Sequence, residues 1–429
     1  MNSLDKKVLQ EQHSRCSLTV TIVVLLISLA ALPSALAQGI SSARSVAMGS
    51  AAISLAKGVD AARYNPANLG FGEFRVRGVE VAGVGADISN NSFTLGDYNK
   101  YTGAFLTDED KEDILDKISP DGLKVDADAE ASALSVSLGS FVFGVTGHGV
   151  ADINLNRDLV ELVLDGNTFG DTVEITGCYS EAVAYAAGYL SFGRSIYRMG
   201  SRELSVGFTA KYLRGFAVEQ VVELEGLAAT FATGFTGEGC LVARTATGGT
   251  GYALDLGAAL KLNDHYLVGA RVRNVLSSIT WNNDTEEHGF IFSFDTMTVD
   301  NMDDDYIVTD DYTVEIDDFK TSLPSLLNVG VANTSGNLLW AIDWEQGLER
   351  AAGVSSKPRL SMGVEWWPIG ILPLRGGYSV GGNRNAAFSF GSGFHVSYFY
   401  LDYAMVTGMT FPGYSSKGLN LAVTTGFYF

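Results

Sequence analysis

Along most of this chain apolar and polar residues alternate one for one, the period of strands with two unlike faces. In the stretch 252–262, Tyr252, Leu254, Leu256, Ala258, Leu260 and Leu262 point one way, and Ala253, Asp255, Gly257, Ala259 and Lys261 the other. In 204–212, Val206 and Phe208 oppose Gly207, Thr209 and Lys211; in 360–366, Leu360, Met362, Val364 and Trp366 oppose Ser361, Gly363 and Glu365. The closing stretch sets Leu419, Leu421, Val423, Thr425, Phe427 and Phe429 against Gly418, Asn420, Ala422, Thr424, Gly426 and Tyr428. One face is greasy; the other is small or polar. The segments approach the roughly 9–11 residues with which a tilted strand crosses a bilayer, longer than the roughly five or six usual in soluble sheets.

About fourteen such segments can be placed, an even count of the kind bacterial membrane barrels use. They are 74–86, 131–139, 141–151, 181–193, 203–215, 250–262, 265–277, 324–334, 336–347, 357–367, 371–381, 385–396, 397–408 and 416–429. Their connections sort by parity. After even segments most are tight, as at Gly139-Ser140, Asn263-Asp264, Ser335-Gly336 and Pro368-Ile369-Gly370, with residues that suit short hairpins; 194–202 is the longest of them. After odd segments four are long: 87–130, 152–180, 216–249 and 278–323. Short turns on one rim and long loops on the other are the asymmetry of an outer-membrane barrel, and a soluble fold has no reason for it. The expected fold class is all-β, a transmembrane antiparallel β-barrel of about fourteen strands.

Composition narrows the setting. The 429 residues carry a net charge of −20, without the basic footprint that a nucleic-acid partner requires. Lys6, Lys7 and Arg15 lead an apolar run over 18–32 and the small-residue site Ala35-Leu36-Ala37, the layout of a signal peptide. Residues 1–37 are therefore expected to be removed after Ala37, which sends the mature chain to the bacterial outer membrane and its lipid. Later stretches fall short of the roughly 18 apolar residues of a spanning helix, so the membrane would be crossed by strands. The long loops are acidic, with Asp303-Asp304-Asp305, Asp310-Asp311 and Asp317-Asp318; lacking EF-hand spacing, these read as solvated charge. Thr107 before Asp108, Glu109 and Asp110 predicts a helix start that continues through Ile114, Leu115 and Ile118.

The stretch 38–72 does not alternate. It leads into Tyr64-Asn65-Pro66-Ala67-Asn68-Leu69. An Ala-, Gly- and Met-containing segment that reaches Asn-Pro-Ala between a signal peptide and a barrel pattern resembles the FadL superfamily of outer-membrane barrels. That superfamily includes long-chain fatty-acid transporters and PorV-type proteins of a secretion apparatus. The resemblance implies that 38–72 is a plug inside the lumen, with Asn65, Pro66 and Ala67 on the family motif, and that 73–429 is the barrel. The family often has Gly where this chain has Asn68. The aromatic ending is similar to the assembly signal of such barrels, carried here by Phe427 and Phe429 and read by the barrel assembly machinery. Two functions follow from the resemblance. One is passive uptake of hydrophobic small molecules, by movement of the plug and exit through lumen or wall. The other is a PorV-like binding or scaffold role, in which the acidic loops meet a secretion or surface-attachment protein.

Catalytic patterns are missing. The chain has no His-Glu-x-x-His, Cys-x-x-Cys or phosphate-binding loop, and His148, His265, His288 and His395 lie at no ligand spacing. Neither enzyme activity, metal nor cofactor is expected. Lys211, Arg271, Arg273 and Arg375 fall on the inward face, as do Asp255, Asp343 and Glu365. Buried charges need partners, so one reading is a mutually paired interior; the other is a basic site for an acidic head group. Cys178 and Cys240 fall in neighbouring long loops on one rim of an oxidising compartment, where a disulfide is expected slightly ahead of two free thiols. Trp281, Trp340, Trp344, Trp366 and Trp367 lie near segment ends, where interfacial girdles are expected.

Overall fold

The structure is a computed structural model that describes residues 40–166, 169–297, 307–349, 351–382, 386–408 and 417–429. The expected signal peptide and the Asp303-Asp304-Asp305 run lie outside the described residues. Fourteen strands close one antiparallel barrel. They are β1 (Arg77–Asn90), β2 (Leu123–Leu138), β3 (Phe141–Leu155), β4 (Tyr179–Met199), β5 (Arg202–Phe231), β6 (Gly248–Lys261) and β7 (Tyr266–Asn283). The circuit continues with β8 (Leu326–Asn333), β9 (Leu338–Gly347), β10 (Arg359–Ile369), β11 (Leu372–Gly381), β12 (Ala386–Val396), β13 (Phe399–Gly408) and β14 (Gly418–Tyr428). Each pairs with the next, and β14 returns to β1 with Gly78 opposite Tyr428 and Ser89 opposite Gly418. Closure removes the free edges that a bilayer could not satisfy.

Alternation sorts the side chains as the sequence predicts. On β14, Leu419, Leu421, Val423 and Phe427 are exposed on the outer surface, while Asn420, Ala422 and Thr424 are buried inside. On β5 and β6, Val206, Phe208, Tyr252 and Leu256 face out, and Ser205, Thr209, Ala253 and Asp255 face in. Trp366 and Trp344 are exposed near strand ends, as a girdle requires. Trp281 departs from that expectation: it is wholly buried, packed against Gly215, and its Nε1 donates to Thr321 Oγ1 at 2.9 Å. An indole can be buried when its N–H finds an acceptor, and Thr321 supplies one.

The odd-side connections are more ordered than loops. β5 alone has 30 residues; at about 3.3 Å each it is roughly three times the hydrocarbon thickness of a bilayer. Its outer part pairs with Thr172–Ile175 on one side and with Gly234–Ala246 on the other. Gly234–Ala246 pairs in turn with Glu286–Met297, and that strand with Ile307–Glu315, so five strands form a sheet projecting beyond the rim. Cys240 sits within this sheet, opposite Glu225 and Ile291. Cys178 lies just before β4, where its Sγ accepts the Asn156 backbone N–H at 3.2 Å. Both thiols are free in the structure, where the expected disulfide is not formed: Cys240 is held in register between Glu225 and Ile291, and the Cys178 Sγ is taken by the Asn156 N–H.

Three short helices roof the same side. α3 (Leu95–Tyr101) and α4 (Asp108–Lys117) each start on a capping box, Thr94 with Asp97 and Thr107 with Asp110. Ile114, Leu115 and Ile118 bury themselves against Phe93, Leu106, Val160 and Leu164, the last two from α5 (Arg157–Asp165). The opposite rim has tight turns, and the 194–202 connection shrinks to Gly200-Ser201 because β4 continues to Met199.

Candidate functional site

The segment from Ile40 to Phe74 folds inside the barrel and is buried almost throughout. It contains two one- to two-turn helices, α1 (Ala43–Ala47) and α2 (Val59–Tyr64), then a 3-10 helix at Pro66–Gly70. Short helices of small residues fit a lumen where no side of the chain faces water. Ile40, Ala43, Val46 and Ala47 pack on Ala387, Ala404, Val406 and Ala422; Val59, Ala61, Ala62 and Leu69 pack on Val142 and Tyr189. Met48, Ala51 and Leu55 meet Ala332 and Ala341, and Ala67, Phe71 and Phe74 meet Ala259 and Leu267.

Asn65, Pro66 and Ala67 are the keystone of this plug. The Asn65 side chain caps the 3-10 helix by accepting the Ala67 N–H at 3.1 Å, and Pro66 occupies the first helical position, where its missing N–H costs nothing. The same amide donates to the carbonyl of Ala258 on β6 at 3.1 Å. The Pro66 carbonyl lies against Gly193 and Gly207, and the Asn65 amide oxygen and Pro66 ring lie against Gly257; the three glycines are paired directly across β4, β5 and β6. A Cβ at Gly207 would stand 2.5 Å from the Pro66 carbonyl, so this wall must be bare for the plug to seat. Asn68, in place of the family's frequent Gly, donates to the carbonyls of Ile53 and Ala56 at 3.1 and 3.0 Å. The departure adds a tie inside the plug.

Charges complete the seat. Arg63 pairs with Glu80 at 2.8 Å and lies 3.7 Å from Glu130. Arg44 pairs with Glu365 at 2.8 Å; Glu365 pairs with Arg375 at 2.7 Å, and Arg375 with Asp402 at 2.7 Å. Asp255 accepts from Lys211 at 2.9 Å and from Arg271 at 2.6 Å, while Arg271 also donates to the Arg63 carbonyl. Asp343 accepts the Ile53 N–H at 2.8 Å. Lys211, Arg271 and Arg375 are thus tied to carboxylates, which makes them part of a paired interior.

Arg273 differs. It belongs to none of the ion pairs among the described residues, and its buried Nε has no hydrogen-bond partner. It borders a cavity of about 180 Å³ between the plug and the outer rim. Val46, Gly49, Ile53, Arg63 and Tyr64 of the plug form the floor, and Gly353 and Ser355 of the β9–β10 connection reach over it. That connection crosses the mouth: the Ala352 N–H donates to Glu181 on β4 at 3.1 Å, and Gly353 lies beside Val150 and Asp128. Periodicity places Arg273 on the inward face, but it carries no sign that, unlike Lys211, Arg271 and Arg375, this side chain makes no ion pair among the described residues. Asp128, the residue opposite Asp87 on β1, was not singled out by its sequence because it lay within an expected loop. Among the described residues no His, Cys, Asp or Glu cluster is arranged to hold a metal.

A second, smaller inner cavity of about 40 Å³ is lined by Thr146, His148, Tyr189, Thr209 and Lys211. Behind it, on the outer surface, an apolar groove runs over Leu134, Phe143, Val145, Leu190 and Tyr212. Tyr189 and Lys211 line both, so groove and cavity lie on opposite faces of one paired stretch of β3–β5. The groove lies at a β-bulge, where the β2–β3 register shifts between Ala133 and Val136 and Leu134 takes a φ of 50°.

Residues 66–233 match the model of a family of unknown function (DUF5723). No curated protein matches this chain in sequence. Among solved structures, it is similar to a "TodX monoaromatic hydrocarbon channel deltaS2 mutant" at 15% identity and a TM-score of 0.54, over 90% of this chain and 98% of that one. A TodX deltaS2S3 mutant gives 14% and 0.53 over the same shares. A FadL homologue of Pseudomonas aeruginosa gives 13% and 0.50, over 92% of this chain and 98% of that one. The chain has the closed fourteen-strand, plugged fold of the FadL-type outer-membrane channels.

Proposed function

We propose that this protein is a passive outer-membrane channel for hydrophobic small molecules, closed by its plug at rest. The single observation that carries the reading is an apolar groove backed by an inner cavity at β2–β5. The two lie on opposite faces of the wall at Tyr189 and Lys211, with the side-chain-free Gly144 and Gly188 beside them. Tyr189 is held to Ser135 on the bulged strand by a 2.7 Å hydrogen bond; a lateral route would need that bond released and the Gly144–Tyr189 strand pairing parted. The fold is that of solved channels named for monoaromatic hydrocarbons. Barrel assembly through Phe427 and Phe429 and cleavage after Ala37 belong to the same proposal. The test is uptake of labelled toluene and oleate by cells expressing the barrel in an otherwise tight outer membrane. Uptake above the empty-vector level, and its loss when Gly188→Leu fills the groove, is expected; uptake equal to the vector would overturn the reading.

The scaffold alternative has its own observation. The projecting sheet ends in a strand, Ile307–Glu315, that among the described residues pairs on one side only. Such an edge can accept a further strand from a partner. Recovery of a stoichiometric cell-surface protein with wild type, lost when the projecting sheet is deleted, would favour it.

A further inference from the structure

Native interiors leave few buried polar atoms without a partner, and each needs water, an ion or a ligand. Such atoms occur elsewhere in the barrel, as at His148 Nδ1 and Arg375 Nη2, but six gather in one place. Asp128 Oδ1, Asp343 Oδ1, Asn420 Oδ1, Ser389 Oγ and the Nε atoms of Arg273 and Arg359 are all buried, unpartnered and on the lining of the 180 Å³ cavity above the plug. Asp128 is 8% exposed, Asp343 and Asn420 4%, and Ser389 1%. The set has both signs. Asp128 projects from β2, among Asp87 and Asp126. Arg273 projects from β7, and Arg359, which pairs with Glu345 at 3.2 Å and keeps its Nε free, from β10, so the guanidiniums stand on other walls than Asp128. Asp128 makes no ion pair among the described residues, and the basic group whose field reaches it is Arg273. The cavity is smaller than the roughly 300 Å³ at which sites for drug-sized ligands begin, and its charged lining is wrong for a hydrocarbon.

We infer that this cavity is a binding site for a small zwitterion, a free α-amino acid or a compound of the same charge layout. Its ammonium group is held by Asp128, with Asn420 accepting beside it, and its carboxylate is held by Arg273 and Arg359. A zwitterion supplies donors to the unpaired oxygens and acceptors to the unpaired guanidinium nitrogens together, with no net charge carried into the barrel. A lone cation would leave Arg273 unanswered, and a lone anion would leave Asp128 so. The site is separate from the wall at Tyr189, and its occupancy does not depend on hydrocarbons using that wall. Since the plug is its floor, the occupant sits directly on the segment that closes the channel.

Equilibrium dialysis of the full-length barrel in mild detergent tests this, with labelled L-alanine, ethylamine and acetate as probes. L-Alanine is expected to bind saturably at one site per barrel, at least tenfold more tightly than ethylamine or acetate. Asp128→Asn and Arg273→Gln are each expected to weaken alanine at least tenfold, and Arg273→Lys to weaken it less. Folding of every variant is checked by heat-modifiable migration. The probe comparison on the wild type stands even if a variant does not fold. No saturable alanine binding, equal binding of acetate or ethylamine, or alanine binding indifferent to both variants would overturn the inference; water alone would then fill the cavity. Toluene and oleate uptake, measured separately, reports on the wall route and not on this site.

Discussion

The lower and upper halves of the lumen are built from the same alternating strands, yet they differ in how far their charges are paired. Below, at the plug seat, each inward charge meets another: Arg63 with Glu80, Arg44 and Arg375 with Glu365, Lys211 and Arg271 with Asp255. Glycines clear the wall where the plug backbone lies. Above, a few strand positions further out, Asp128, Arg273 and Asp343 keep unpartnered atoms around an open volume. Leaving a buried donor or acceptor unmade costs about 1–3 kcal/mol, and several gathered in one place amount to a preformed demand for a polar occupant. The lower half is a closure and the upper half a receptacle.

The sharpest way to break that contrast is one chemical change applied on both sides of it. Glu365→Gln removes the carboxylate shared by Arg44 and Arg375 and is expected to destabilise the barrel by about 3–5 kcal/mol, the scale for breaking a buried pair. Asp128→Asn removes a charge that has no ion pair among the described residues, and is expected to leave stability unchanged or raise it. Urea midpoints of the two variants in detergent check both; a shared sign would mean that the halves are not different. The next effect comes from bulk. Gly207→Val puts a branched side chain where the Pro66 carbonyl sits, with an overpacking cost of about 1–3 kcal/mol. It is expected to unseat the plug, seen as a rise in single-channel conductance in planar bilayers. Gly376→Val lies in the wall and not in the seat, where an added Cβ meets only Val364 at 3.8 Å, so its conductance is expected to stay at the wild-type level. Smaller again is Asn68→Ala, which deletes two hydrogen bonds inside the plug, each worth about 0.5–1.5 kcal/mol. It is expected to raise the frequency of open events without changing the size of the open channel.

Much of this was legible because a strand's period is two whatever its distant partners are. The fourteen barrel strands, the loop parity, the Asn65-Pro66-Ala67 plug and the inward placement of Lys211, Arg271, Arg273 and Arg375 all follow from alternation or from a local motif. What escaped depends on contacts far apart in sequence. Nothing near Glu365 indicates Arg44, 321 residues away, and nothing near Asp128 indicates that it would go without such a partner. The projecting sheet was hidden for a related reason. Its strands pair between separate connections, so loop length gave the rim correctly while concealing what the rim carries. Cys240 and Trp281 were placed by loop logic and turned out to be fixed by pairing and packing.

The helical roof over the receptacle offers the smallest and most local test, because it depends on one carboxylate outside the membrane. Asp97 accepts from the Thr94 N–H and hydroxyl at the start of α3 and pairs with Lys117 of α4 at 2.8 Å. Partial burial works to raise its pKa, but the Lys117 and Thr94 hydrogen bonds prevail and hold it down to about 2. A carboxylate held below its unfolded value of about 3.9 contributes stability above that value and loses it as pH falls through the folded one. Between about pH 4 and pH 2, therefore, α3 and α4 are expected to come apart while the barrel and its plug stay closed. Limited digestion with an acid-active protease would then cut within 95–117 at pH 2.5 and spare it at pH 5, with unchanged heat-modifiable migration. Asp97→Asn is expected to bring the cut to pH 5; equal protection of wild type and variant at both pH values would show that the roof is held by Ile114, Leu115 and Ile118 alone.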